Sequence, residues 1–259
     1  MKVIALANNK GGVGKTSILV HFAFHLHEKN IKVLVIDLDS QANASYTLSE
    51  FDRGGTASDL LTGKGLNPET IANLGNEKTK LALIKADDIL LDIDQQRDLD
   101  KVASSLHSQL DIFEQMGFKY VLLDTGPAIS TTLTTALCVA TDVISPIELG
   151  SYSIKGVAKM VKLINNIKAA VNPKLNFVGM LPSRVNSQGS RHKELLGELN
   201  ELLKNIDNSV KILAHSIYLR PGIAEATDSG QPVWALPKHW FAGREMKKAL
   251  DYIMKNLSK

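Results

Sequence analysis

A glycine-rich turn held between two apolar runs constrains this chain more than any other feature. Val3-Ile4-Ala5-Leu6-Ala7 leads into it, Lys10-Gly11-Gly12-Val13-Gly14-Lys15-Thr16 forms it, and Ile18-Leu19-Val20 through Phe24 follows. A strand, a tight turn and a helix start in that order make a cradle for phosphate. Gly11, Gly12 and Gly14 lack Cβ, so the backbone can curl and aim successive N–H groups at anionic oxygens. The helix start adds its unbonded N–H groups and the positive end of its dipole. Lys15 is placed to reach the β- and γ-phosphates, and the Thr16 hydroxyl to ligate Mg²⁺. The strict pattern G-x-x-x-x-G-K-[ST] is not met, because Asn9 takes its first glycine position. A second lysine, Lys10, opens the loop instead.

Strand signals alternate with helical ones over most of the chain. Strands are expected at 2–8, 31–37, 118–124, 142–147, 174–181 and, briefly, 210–214. Helices are expected at 14–29, 98–116, 130–140, 153–171, 190–205 and 244–256, with one or two turns at 223–229. The apolar runs 31–37 and 118–124 each end in an acid, as buried parallel strands commonly do. Residues 40–100 contain Gly54, Gly55, Gly63, Gly65 and Pro68 and are expected to form short helices and loops. The alternation predicts an α/β fold with a doubly wound, mostly parallel sheet of the P-loop NTPase type, its ligands at the carboxyl ends of the strands. With 259 residues, 44% of them apolar, and no linker or repeat, a single domain over 1–259 is expected.

A net charge of +3 is too mild to establish nucleic-acid binding by itself. No apolar stretch is long enough to cross a bilayer. The chain enters its first strand at once, so no secretory signal is expected. The single cysteine, Cys138, excludes an internal disulfide and reads as a packing residue. A cytoplasmic protein fits these bounds.

Asp37 and Asp39 follow one strand and Asp124 ends another. A doubly wound sheet aims all three at the edge that holds the phosphate loop. A Mg²⁺–triphosphate needs carboxylates there, to hold metal-bound waters and to orient the attacking one. An Asp at such a place can also cap a helix.

These segments resemble the ParA family of partition ATPases, within the deviant Walker A group that also includes MinD. Residues 8–16 resemble the family's deviant Walker A, residues 37–43 its second motif and residues 120–124 its Walker B. Leu219-Arg220-Pro221-Gly222 through Ala226, with Gly230-Gln231-Pro232-Val233, resembles its C-terminal block. The resemblance implies weak intrinsic ATP hydrolysis and an ATP-sandwich homodimer that binds DNA without sequence preference. A centromere-binding partner protein stimulates hydrolysis and resets the cycle, which moves plasmid or chromosomal cargo over the nucleoid. Lys10 matches the signature lysine that reaches the other subunit's ATP, where a second cation neutralises developing charge as an arginine finger does. Carried over by position, Lys10, Lys15 and Asp39 are catalytic. Residues 10–16 (Val13 among them), Ser17 and Asp124 hold nucleotide. Thr16, Asp39 and Asp124 form the metal set. Pro182 and Arg184, within the loop 182–186, are the expected adenine contacts.

Two segments depart from the family pattern. Asp124 is followed by Thr125-Gly126-Pro127 where many relatives have Cys-Pro-Pro, and residues 50–98 match weakly. A helix-turn-helix ahead of the ATPase, which some relatives use to bind operators, is not expected. The cations expected on a DNA surface are Arg184, Arg191, Lys193, Arg220, Lys247 and Lys248, with His192, Lys238 and Arg244 nearby. Arg220 leads because it lies in the matching block. The last helix offers an alternative. Apolar residues at 246, 249, 250, 253, 254 and 257 with bases opposite could lie on anionic lipid, as in MinD-like positioning ATPases. Glu245 and Asp251 count against that, and docking of the helix on the sheet is favoured. A third class, a small-molecule ligase or kinase built on the same cradle, would need an acceptor pocket.

Overall fold

Alternate residues along each central strand face opposite cores, and this pattern sets the layers of the molecule. The computed structural model describes residues 1–95, 98–186 and 191–258, with side chains at all of these except 151–155. The first half runs β1 (Lys2–Leu6), α1 (Lys15–Glu28), β2 (Val33–Leu38), α2 (Asn43–Thr47), β3 (Asp52–Thr56), α3 (Ala57–Leu61), α4 (Pro68–Gly75), β4 (Leu81–Lys85), α5 (Ile89–Gln95) and α6 (Leu99–Gln115). The second runs β5 (Tyr120–Thr125), α7 (Thr131–Val139), β6 (Asp142–Glu148), α8 (Ser151–Ala170), β7 (Asn176–Ser183), α9 (His192–Ile206), α10 (Pro221–Asp228) and α11 (Trp240–Asn256).

The strands form one seven-stranded sheet in the order β3-β4-β2-β5-β1-β6-β7. Every pairing is parallel. A parallel sheet needs helices on both faces, so its central strands read as continuous apolar runs. Val3, Ala5, Leu34, Ile36, Val121 and Leu123 enter one core, with α3, α6 and α7. Ile4, Leu6, Val33, Val35 and Leu122 enter the other, with α1 and α11. A third cluster joins Ile147 and Met180 to Leu195, Leu199 and Leu203 of α9 at the β7 edge.

The strand order places β1 between β5 and β6, so the loops leaving β1, β2 and β5 open at one edge. The expected doubly wound parallel architecture is the one found. Two expectations within it need correction. The stretch 40–100 carries two strands, and β4 lies inside the sheet between β3 and β2. Residues 210–214 contribute an isolated bridge, Met180 to Ile212, and not a strand. A β-carbon at Gly179, whose φ is +141°, would meet the Lys211 carbonyl oxygen, so this close backbone approach takes the place of a regular ladder.

The apolar stripe of α11 is occupied. Met246, Ala249, Leu250 and Ile253 are buried in the α1-side core, and Met254 and Leu257 pack against it. No described helix is long and apolar enough to cross a membrane. The expected helix start at 244 moves back to Trp240. Residue 190, the expected start of α9, lies outside the described residues.

Candidate nucleotide site

Gly12 and Gly14 adopt left-handed φ values of +73° and +88°, a region costly to residues with a β-carbon. Gly14 is the N-cap of α1 and supplies no side chain, so the first amides of α1 are left to a ligand. Three hydrogen bonds pin the loop. Asn8 donates from Nδ2 to the Pro146 carbonyl at 2.6 Å and accepts the Lys10 amide at 2.9 Å. The Ser183 hydroxyl donates to the Val13 carbonyl at 2.7 Å.

Lys15 is buried, with Nζ 3.3 Å from the carbonyl oxygens of Asn8 and Lys10. Burial lowers its pKa, while Asp124 and Asp39 pull it back up. The Thr16 hydroxyl donates to Asp124 Oδ2 at 2.7 Å. Asp124 is fully buried, and its Oδ1 has no hydrogen-bond partner. Burial, then the neighbouring Asp37, raise the Asp124 pKa well above the carboxylate range. Asp37 is pushed up to about 6, chiefly by burial, against hydrogen bonds from Ser45 that favour its charged form. It accepts the Ser45 amide at 2.8 Å and the Ser45 hydroxyl at 2.7 Å on one oxygen, and the Asp39 amide at 3.1 Å on the other. Asp37 therefore braces the loop that carries Asp39, and Asp39 accepts the Gln41 amide at 3.1 Å.

Residues 11–17 line a cavity of about 420 Å³ with Asp39, Gln41, Asn43, Tyr46 and Arg184. A second cavity of about 430 Å³ adjoins it, and the two share Gly14, Ser17, Arg184 and Thr227. Its remaining walls are mostly apolar, with Ile18, Ile217, Leu219, Ile223 and Met246 among them. A polar hollow on the phosphate loop that opens into an apolar one suits a nucleotide, which joins a polyanion to a flat apolar base. Of the expected adenine contacts, Arg184 lines both cavities. Pro182 lines neither; its carbonyl accepts the Ile217 amide at 2.8 Å and so holds the apolar wall in place.

Lys10 stands at the rim, outside the residues lining either cavity. Its ammonium lies 3.1 Å from Glu148 Oε2, and Arg184 Nε lies 3.6 Å from the other oxygen of the same carboxylate. One acid thus holds the two cations that flank the hollow.

The comparisons agree with this geometry. A family model described as an AAA domain matches residues 1–177. Protein IncC of Escherichia coli is 39% identical over 258 residues, which cover 98% of this chain and 69% of IncC. The chain belongs to the ParA family of partition ATPases. The chromosome-partitioning ATPase Soj of Thermus thermophilus is 31% identical over 179 residues, 69% of this chain and 67% of Soj. A Cyanothece McdA–ATP complex has the same fold, with a TM-score of 0.79 at 19% identity over 100% of this chain and 98% of that one. This ParA-family protein is a P-loop enzyme that binds and hydrolyses ATP.

Of the expected DNA cations, Arg184 and Arg220 line the same apolar cavity. Arg191 and Lys193 start α9 at the β7 edge, and Arg191 lies 3.7 Å from Glu194. Lys247 and Lys248 lie on α11, where Lys247 pairs with Glu28 at 2.7 Å. Arg220 makes two bonds to Glu245, at 3.0 and 3.1 Å, which raise its pKa.

Sequence reasoning missed Glu148, Tyr46 and the 217–227 wall. Glu148 directly follows the expected strand 142–147, much as Asp37 and Asp124 end theirs, but Ser145 and Pro146 interrupt its apolar run. Tyr46 is 71% exposed at the cavity mouth and nothing in its sequence context marks it. In sequence, residues 219–226 read as a matching block that carries a DNA cation, Arg220, and nothing there marks them as the wall of an apolar cavity.

Proposed function

We propose that this ATPase is an ATP-driven DNA-partition switch that acts as a single domain over residues 1–259. Lys15 and the loop amides bind the triphosphate, and Asp39 orients the attacking water. The unpartnered Asp124 Oδ1, beside the Thr16 hydroxyl in a hollow of carboxylates, fits a hard cation. Thr16 and Asp124, with Asp39 near, would hold Mg²⁺, which neutralises charge on the phosphate oxygens.

One observation carries the rest of the reading. The side chain of Lys10 sits on Glu148 at the rim, outside the cavity of its own subunit. A cation placed there is positioned to serve a second copy across a face-to-face dimer. In that arrangement the ATP-bound homodimer binds DNA without sequence preference through its Lys and Arg, near the nucleoid. A centromere-bound partner protein stimulates hydrolysis and separates the dimer, as the partition and chromosome-partitioning roles of its relatives suggest.

The test is DNA binding with ATP, with ADP and without nucleotide, each at two salt concentrations. Binding that needs ATP and falls steeply with salt supports the reading. Equal binding in all three nucleotide states, or none in any, overturns it.

A further inference from the structure

Five side chains from two separate segments form a ladder of alternating rings and guanidinium groups on the surface above the apolar cavity. Arg220 lies 5.5 Å from the Tyr218 ring centroid and 5.3 Å from that of Phe241. Arg244 lies 5.6 Å from Phe241 and 5.4 Å from Trp240. Trp240 and Phe241 meet edge to face at 5.8 Å. The rings stay open to solvent: Trp240 is 63% exposed and Phe241 42%.

The core does not require these two rings, because α11 is anchored by Ala242, Met246, Ala249, Leu250 and Ile253. Glu245 holds the guanidinium of Arg220 in place and so fixes the middle rung. Arg244 has no carboxylate partner among the described residues, and Lys248 is exposed one turn further on. The patch thus offers a rigid cationic surface with open aromatic faces.

Phosphate alone explains the cations but not the rings. Lipid would use rings and cations together, but it also needs an apolar helix face, and that of α11 is buried in the core. A duplex hides its base faces in the stack. Unpaired bases expose them, and a charged backbone running beside them matches the ladder. We propose that this face binds single-stranded nucleic acid, with bases stacked on Trp240 and Phe241 and phosphates neutralised by Arg244 and Lys248. This activity is separate from the ATP-dependent duplex binding proposed above.

The protein has two tryptophans, Trp234 and Trp240, so intrinsic fluorescence reports on the site. Oligo(dT) should quench it, and the quench should disappear in Trp240→Phe. Trp240→Ala should weaken oligo(dT) binding roughly five- to a hundredfold while leaving ATP-dependent duplex binding within about twofold. Part of the oligo(dT) affinity should survive high salt, since stacking releases no counterions. Three results would each overturn the proposal: no quench by oligo(dT), an equal loss of single- and double-stranded binding in Trp240→Ala, or quenching by anionic phosphatidylglycerol vesicles but not by oligo(dT). Failure of the oligo(dT) arm with duplex binding intact would leave the partition reading standing.

Discussion

Asp37 and Asp124 are register partners on neighbouring parallel strands, so two fully buried carboxylates lie side by side at the edge of the sheet that carries the phosphate loop. Their roles differ. Asp37 accepts three hydrogen bonds, one from Asp39 in the loop after β2 and two from Ser45 in α2, whereas Asp124 has one oxygen on Thr16 and one with no partner. Asp37→Ala should therefore lower stability by about 2–4 kcal/mol, because it strands buried donors. Asp124→Asn replaces a buried acid whose charged form is disfavoured and whose Oδ1 has no partner, so its stability should stay within about 1 kcal/mol of wild type or rise. Its Mg²⁺-dependent ATP binding should fall. Urea unfolding and ATP titration with and without Mg²⁺ would separate the two.

Lys15→Ala should lose nucleotide affinity by about a hundredfold or more, the worth of two charge-assisted bonds to phosphate. Burial already disfavours the Lys15 charge, so the apo variant should be at least as stable as wild type. Thermal melts with and without ATP check both halves. A variant that melts early without ATP would show that Lys15 holds the loop together.

These site residues were legible in the sequence because the strands that carry them are buried on both faces. Val33–Leu38 and Tyr120–Thr125 read as apolar runs, and an acid stands out at the end of each. Strand β3 was illegible because Asp-Arg-Gly-Gly-Thr has no strand composition and pairs only at the sheet edge. Leu81–Lys85 has the right composition but is short and flanked by charged segments, Glu77-Lys78-Thr79-Lys80 and Asp87-Asp88, and only its place between β3 and β2 reveals it. The Arg220–Glu245 pair spans 25 residues, and no periodicity announces a contact at that distance.

The Glu148 carboxylate sits on both Lys10 and Arg184, so variants at either end of the Lys10 pair should differ. Lys10→Ala should bind nucleotide and fail to form the ATP dimer. Glu148→Gln releases Lys10 from an exposed ion pair worth little in water, so the ATP dimer should tighten by at most about fivefold. Sedimentation with ATP reads both variants. A normal dimer from Lys10→Ala would remove the proposed role across the interface.

Two glycines in the C-terminal third should differ in tolerance. A β-carbon at Gly243 would lie 2.6 Å from Trp234 Cβ and 2.7 Å from its Cα, and backbone cannot move aside. At Gly222 the obstruction is the His239 ring, at 2.3 Å, and a ring can rotate away. Gly243→Ala should cost about 1–3 kcal/mol or more, and Gly222→Ala less. Chemical denaturation of both variants tests the order.

His21 gives a pH dependence with a defined sign. Its ring is fully buried in α1, with Nδ1 2.6 Å from the Ser17 carbonyl and Nε2 accepting the Val233 amide at 3.0 Å. Nδ1 must then carry the proton, and a second proton on Nε2 would face an N–H. Burial lowers the His21 pKa to about 4, below the ordinary value of 6.5. The unfolded chain therefore binds the extra proton first, and the His21 contribution is complete above pH 6.5 and lost between 6.5 and 4. A shift of that size corresponds to about 3 kcal/mol. Asp37, raised to about 6, and Asp124, raised well above its ordinary value, both work in the opposite sense, so the wild-type profile alone does not isolate His21. The informative quantity is the stability gap between wild type and His21→Gln. It should be widest at pH 7 and narrow by about 3 kcal/mol on going to pH 4. A gap that stays constant would mean that His21 titrates alike in both states, contrary to the bond it accepts from Val233.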